Sequence, residues 1–401
     1  MGRIGLPEQI LIDDVKRSAT FAEAQAGDSR TWYLWCALAG FICMTTGLYW
    51  DLCWHASIGR DTFWTPPHEF IQVGTLLASL GSAYLILKTT FSGDQVPKSR
   101  SVRLWGFRAP LGAFICLWGG LSVLTSAPFD DWWHHSFGLD IKVFSPPHSL
   151  GIAGMTAIGV GVLTLLAPRM QHSDVQLENQ LELQLRLVGA FTISLVTIYC
   201  YYPFLNTRLM HSSVFYVITG LAMPMFLLPL TRLSHRRWTA TRVTAIYTCL
   251  WIAGLWIMPL FPAQARLAPV YTQITHMVPL RFPPLLLAPA VVLDVVVQRF
   301  FHRELFWVAL RAAVGFVGTL LIVQWPFANF LVSPLARNRI FGMQYFAYTV
   351  FPSNYHLQWE FIRADKTTSH FLAGMVVAVA AATLSSYIGL VWGDWMRGVR
   401  R

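Results

Sequence analysis

Trp50–Phe70 reads WDLCWHASIGRDTFWTPPHEF, and Phe129–Leu150 reads FDDWWHHSFGLDIKVFSPPHSL. Each is a polar insert between apolar runs, and each writes Asp, three residues, His, then Gly-x-Asp, then Pro-Pro-His. Asp51 and His55 are four residues apart, so on a helix they share one face. Pro66-Pro67 suits the first turn of a new helix, where proline forfeits no hydrogen bond. The stretch therefore reads as a helix end, a tight loop and a helix start, with His68 in the first turn of the second helix. Asp51, His55 and His68 then lie at similar depth and can converge on one point. Asp130, His134 and His148 repeat the arrangement.

The alignment of the two stretches is detailed. Setting Asp51 on Asp130 brings Trp54 onto Trp133, His55 onto His134, Gly59 onto Gly138 and Asp61 onto Asp140. One inserted residue then brings Pro66, Pro67 and His68 onto Pro146, Pro147 and His148, while Gly74 and Gly151 follow at different offsets. So many matched polar and special residues indicate an internal repeat of helix pairs, as many membrane folds have.

The surrounding chain is that of a polytopic membrane protein. Of 401 residues, 55% are hydrophobic and 12% charged, against about 25% charged in soluble domains; the mean hydropathy is +0.48. Apolar runs near 31–54, 67–89, 105–127, 147–168, 186–205, 212–231, 243–262, 280–298, 305–327 and 369–393 predict an all-α bundle of about ten transmembrane helices. The net charge of +10 sits in short basic clusters between these runs, including Lys88, Lys98, Arg100, Arg103, Arg169, Arg236, Arg237, Arg242, Arg299, Arg303 and Arg397. That pattern excludes a nucleic-acid partner and places both termini in the cytoplasm. Both polar inserts then face the outer side, periplasmic in the inner membrane of a Gram-negative cell. Residues 1–30 form a polar cytoplasmic segment without a cleavable signal, and 328–368 form an aromatic-rich loop over the outer surface. The six cysteines contain no Cys-x-x-Cys pair, which argues against disulfides and zinc-thiolate sites.

One carboxylate and two imidazoles form a three-ligand metal set with room for exogenous ligands. Ionisable groups at membrane depth are costly, and repetition of all three favours a metal or proton site over structure alone. Asp61, Asp140, Glu69, Asp131 and His135 are candidates to brace the loops or orient the imidazoles; His135 is also an alternative ligand to His134. The tryptophans around the motifs read first as an interfacial belt. His211, His276, His356 and His370 are weaker candidates on the same side, and THMVPLRFPP at 275–284 resembles a decayed third copy.

WHASIGRDTFWTPPH resembles the C subunit of the copper membrane monooxygenases, the particulate methane and ammonia monooxygenases. That subunit carries an Asp-x3-His-x12-His copper site within similar text. Asp51, His55 and His68 have its spacing, and Arg60, Asp61, Thr62, Thr65 and Pro66 match around them. The family's second triad, Asn-x3-His-x13-His, is matched by Asp130, His134 and His148 with Asp in place of Asn. The resemblance covers the two motifs, with compatible helices over 31–232; residues 233–401 add helices without a counterpart. It implies one or two copper ions, with Asp51, His55 and His68 holding the ion that activates dioxygen. It further implies a small apolar substrate arriving through the bilayer, a quinol as reductant, and partner subunits or a homo-oligomer, a trimer among the forms. The competing reading is a copper transporter or metal-delivery protein passing an ion between the two sites. No H-E-x-x-H or Ser/His pairing supports a hydrolase.

Overall fold

The structure is a computed structural model that describes residues 31–59, 64–92, 101–138, 144–171, 175–201, 210–264, 274–300, 303–345, 361–362 and 364–398. Its helices are α1 (Trp32–Ser57), α2 (Pro66–Phe91), α3 (Leu111–Phe137), α4 (Pro146–Met170) and α5 (Val175–Cys200), then α6 (Ser213–Leu233), α7 (Thr239–Ile257), α8 (Leu287–Phe300), α9 (Leu305–Val332) and α10 (Thr368–Gly398). Among the described residues, nine helices are long and apolar enough to cross a membrane, and α8 is the exception. The fold is an all-α bundle carrying one small hairpin, β1 (Val102–Leu104) with β2 (Phe107–Ala109).

The hairpin replaces the expected start of the third span at 105. Trp105 and Gly106 both take positive φ, 49° and 88°, as a tight two-residue turn between antiparallel strands requires. Arg108 N donates to Thr90 Oγ1 at 2.9 Å, pinning the turn to α2.

The first four helices form two hairpins that pack by one scheme. Gly40 and Gly74 face each other across α1 and α2, and a Cβ on Gly74 would lie 2.7 Å from the Gly40 carbonyl. Gly119 and Gly154 do the same across α3 and α4; a Cβ on Gly154 would lie 2.6 Å from the Gly119 carbonyl. The neighbours correspond too: Gly74 abuts Cys43 and Met44, and Gly154 abuts Ser122 and Val123. Small residues at such crossings let membrane helices approach to backbone contact. The residue answering Gly74 is thus Gly154, at the same offset as the Pro-Pro-His segments, and not Gly151. Gly151 faces Ser126, where the first pair sets Ile71 against Gly47. α2 and α3 join the two hairpins at Gly120, which sits on Ser79.

The expected eighth span, 280–298, is only partly helical. α8 has 14 residues, about 21 Å of rise, short of a hydrocarbon core of about 30 Å. The chain before it is extended. Val278 N donates to Ser57 Oγ at 2.7 Å, just past the end of the α1 motif. Trp251 Nε1 of α7 donates to the Arg281 carbonyl at 2.8 Å, and Leu285 N donates to Gln324 Oε1 of α9 at 2.9 Å. α8 then continues to the opposite end of the bundle, where Asp294 accepts from the backbone amides of Ala240 and Thr241. Pro279, Pro283 and Pro284 have no amide hydrogen to satisfy, and the Val278 and Leu285 amides and the Arg281 carbonyl find partners on three helices. Extended backbone at this depth is tolerated where protein encloses it.

The fifth helix begins earlier than hydropathy indicates, because its first turns carry Glu178, Glu182 and Arg186. Glu182 is buried and accepts from Ser234 Oγ at 2.8 Å and from His235 N at 2.9 Å, so it belongs inside the bundle despite its charge. The pairing of α6 with α10 uses the same small-residue device, with Gly389 against Pro224 and Gly393 against Arg232. Beyond α9, two short 3-10 turns (Pro334–Ala336 and Met343–Tyr345) occupy part of the expected 328–368 loop; residues 346–360, including His356, lie outside the described residues.

Candidate metal centre

The two triads assemble as their spacing predicts. In each, one atom per residue lies within 4.8 Å of the others. Asp51 Oδ1 is 3.4 Å from His55 Nε2 and 3.1 Å from His68 Nε2. Asp130 Oδ2 is 3.3 Å from His134 Nε2, and its Oδ1 is 3.3 Å from His148 Nε2. Nitrogen and oxygen ligands bound at 2.0–2.1 Å in tetrahedral array stand about 3.3 Å apart. The four aspartate–histidine separations fall near that figure. Asp51 Oδ1 and Asp130 Oδ1 are also buried, each facing imidazole nitrogen. Each carboxylate thus meets two imidazoles at once, an arrangement that can hold either a shared proton or a cation.

Local folding explains the convergence. Asp51 and His55 occupy the last two turns of α1, as Asp130 and His134 do on α3. Gly59 and Gly138 follow with φ of 95° and 82°, a backbone turn that glycine takes without strain. Pro66-Pro67 and Pro146-Pro147 open α2 and α4, setting His68 and His148 in the first turn. Ser145 caps α4 by accepting from His148 N, whereas Thr65 makes no such side-chain bond. The Gly138 carbonyl stands 3.3 Å from His134 Nδ1. It can hold that imidazole with Nε2 toward Asp130, the role a carbonyl commonly plays behind a metal-bound histidine. The matched glycine is visible in the sequence; the part its carbonyl plays is visible only in the fold.

The two sites differ in their shelter. Ile58, Ala263 and Met277 form a small apolar cluster with Trp50 and Trp54, the chain neighbours of Asp51 and His55. Around the second, Trp132 is 55% exposed and Phe137 65%; His148 is more open than His68 (38% against 25%), while His134 is less open than His55 (23% against 31%). The triads are close enough for His68 to contribute to the electrostatic field at Asp130.

The other candidates separate clearly. Asp131 and His135 are exposed and engage each other, His135 Nδ1 lying 2.7 Å from the Asp131 carbonyl oxygen. Glu69 is exposed in the first turn of α2. Asp61 and Asp140 lie outside the described residues. Cys53 is fully buried, as a packed thiol would be. His211 stacks on Trp325 at 4.0 Å between ring centroids and bonds its carbonyl. His370 pairs with Asp365, and His276 is exposed beside Thr275. The 275–284 segment forms no third triad among the described residues; it lies against the first. Comparisons with protein-family models, curated proteins and solved structures found no match to this chain.

Proposed function

We propose that this chain is a copper-binding integral membrane protein and a component of a membrane monooxygenase that oxidises a small apolar substrate with dioxygen. The observation that carries the reading is the pair of matched Asp/His/His triads, each with its donor atoms at metal-ligand separation. Two imidazoles and a carboxylate suit copper among several divalent ions; the motif resemblance selects copper. Bound copper would supply redox chemistry toward dioxygen. The protein's part is to present His55, His68, His134 and His148 as neutral ligands, and to balance cation charge with Asp51 and Asp130. Asp130, standing where the family has Asn, makes the second site more anionic. A reductant, a quinol in this reading, supplies the electrons.

We further infer that α1–α2 and α3–α4 derive from one duplicated unit, supported by the matched glycine crossings. The ends of α4, α6, α8 and α10 that carry Arg169, Arg232, Arg299 and Arg397 lie opposite the triads. That distribution supports cytoplasmic termini and triads facing the periplasmic side.

The test uses purified protein loaded with copper. Electron paramagnetic resonance with nitrogen hyperfine structure, and quinol-dependent dioxygen consumption lost in His55→Ala, would support the proposal. Copper uptake into sealed vesicles that requires both triads, without dioxygen consumption, would favour a transporter instead.

A further inference from the structure

The broken eighth crossing encloses space. Between residues 278–284, the last turns of α5 and Trp251 of α7 lies a cavity of about 190 Å³. Its walls include Ile198, Tyr201, Met210, Trp251, Phe282 and Pro283, and Ala56 stands at its edge. Ala56 is both part of the lining and exposed at the triad end of α1, which connects the cavity to the surface there.

Arg281 is the one charged residue of the lining, and most other polar groups of these walls are turned to other uses. The Tyr201 hydroxyl bonds Thr219 Oγ1. Thr197 Oγ1 donates to the Ile193 carbonyl at 2.7 Å, and the Trp251 indole N–H is taken by the Arg281 carbonyl. What remains toward the cavity is chiefly ring, aliphatic and thioether surface. Apolar cavities of about 150 Å³ stay dry and take up benzene or xenon; this one is somewhat larger. The wall is also a built feature. A continuous helix would satisfy its own backbone, whereas this segment relies on Ser57, Trp251 and Gln324 from three helices. Interrupted crossings of this kind are where membrane proteins place ligand sites.

We infer that this cavity is a binding site for a small apolar molecule about the size of one substituted aromatic ring. The ligand enters past Ala56, packs against Trp251, Tyr201 and Phe282, and needs no metal for binding. The site goes beyond the copper reading and does not depend on it.

Toluene serves as the probe, titrated into the full-length protein in lipid nanodiscs and followed by saturation-transfer NMR, with empty nanodiscs as reference. Saturable binding is expected in both metal-loaded and metal-stripped protein. Ile198→Trp, which fills the cavity, and Ala56→Trp, which blocks its mouth, should each weaken binding at least tenfold while helix content and metal content stay unchanged. If one variant does not fold, the other decides. Absence of saturable binding above empty nanodiscs, or undiminished binding in the folded variants, would overturn the inference. Loss of copper chemistry with toluene binding intact would overturn only the proposed function.

Discussion

Asp51 on α1 and His68 on α2 face each other at 3.1 Å across a helix–loop–helix junction, and Asp130 and His148 repeat the relationship at 3.3 Å one hairpin later. In both pairs the carboxylate also meets a second imidazole four residues along its own helix. The two junctions carry the same dipeptide and the same positive-φ glycine, so the geometry follows from local rules applied twice.

The glycine crossings should be intolerant of side chains. Gly154→Leu would drive carbon into the Gly119 carbonyl, and Gly74→Leu into that of Gly40. Overpacking of this kind costs about 1–3 kcal/mol or more. Each variant should lower the thermal unfolding midpoint measured by tryptophan fluorescence in detergent. Equal stability to wild type would mean the helices do not cross there.

Gln324 supports the extended part of the eighth crossing through its carbonyl oxygen. Gln324→Leu leaves the Leu285 amide without that acceptor, a loss of about 1–3 kcal/mol. Gln324→Glu keeps an acceptor and should retain more stability than the leucine variant. The ranking can be read from denaturation midpoints; the reverse order would count against the bond.

Acid should loosen the triad end of the bundle in two stages. Burial pushes the His211 imidazole below its ordinary value, so its neutral form is favoured in the fold. Stability falls as pH drops below the unfolded value of about 6.5, until the folded value is passed. Asp365 behaves as a depressed carboxyl: burial raises it, but bonds from Ser213 and Ser212, with His370 nearby, outweigh that. Its contribution is present above about pH 4 and is lost as pH falls through the folded value. His211→Gln should flatten the first stage and Asp365→Asn the second, in stability measured from pH 7.5 to 3. Unchanged profiles would remove these groups from the account.

Much of this architecture is legible in the residues. The triads are readable because four-residue spacing and Pro-Pro-His leave few alternatives. Gly154 was equally readable, lying 80 positions after Gly74 as His148 does after His68. The eighth crossing was harder. Apolar composition over 280–298 looks helical to a window, and only Pro279, Pro283 and Pro284 hint at extended chain. The start of α5 was hidden because buried Glu182 reads as loop until Ser234 and His235, some fifty residues away, come to meet it. Exposure of the second triad depends on packing around α3 that no local pattern encodes.

Imidazole ligands must be neutral to bind metal. Metal content should therefore fall as pH drops from 7.5 toward 5 in both triads. Because His148 is more exposed than its counterpart His68, chelator attack through that ligand should make the second site exchange metal faster, even though His134 is more sheltered than His55. A single release phase from both sites would contradict the difference in shelter.

The most direct test of the central claim is metal stoichiometry by mass spectrometry on copper-reconstituted protein. Wild type should hold two equivalents, one for each triad. His55→Ala and His134→Ala should each hold one, and the double variant none, with helix content unchanged throughout. Wild-type protein without bound metal, or a double variant that retains it, would contradict the account.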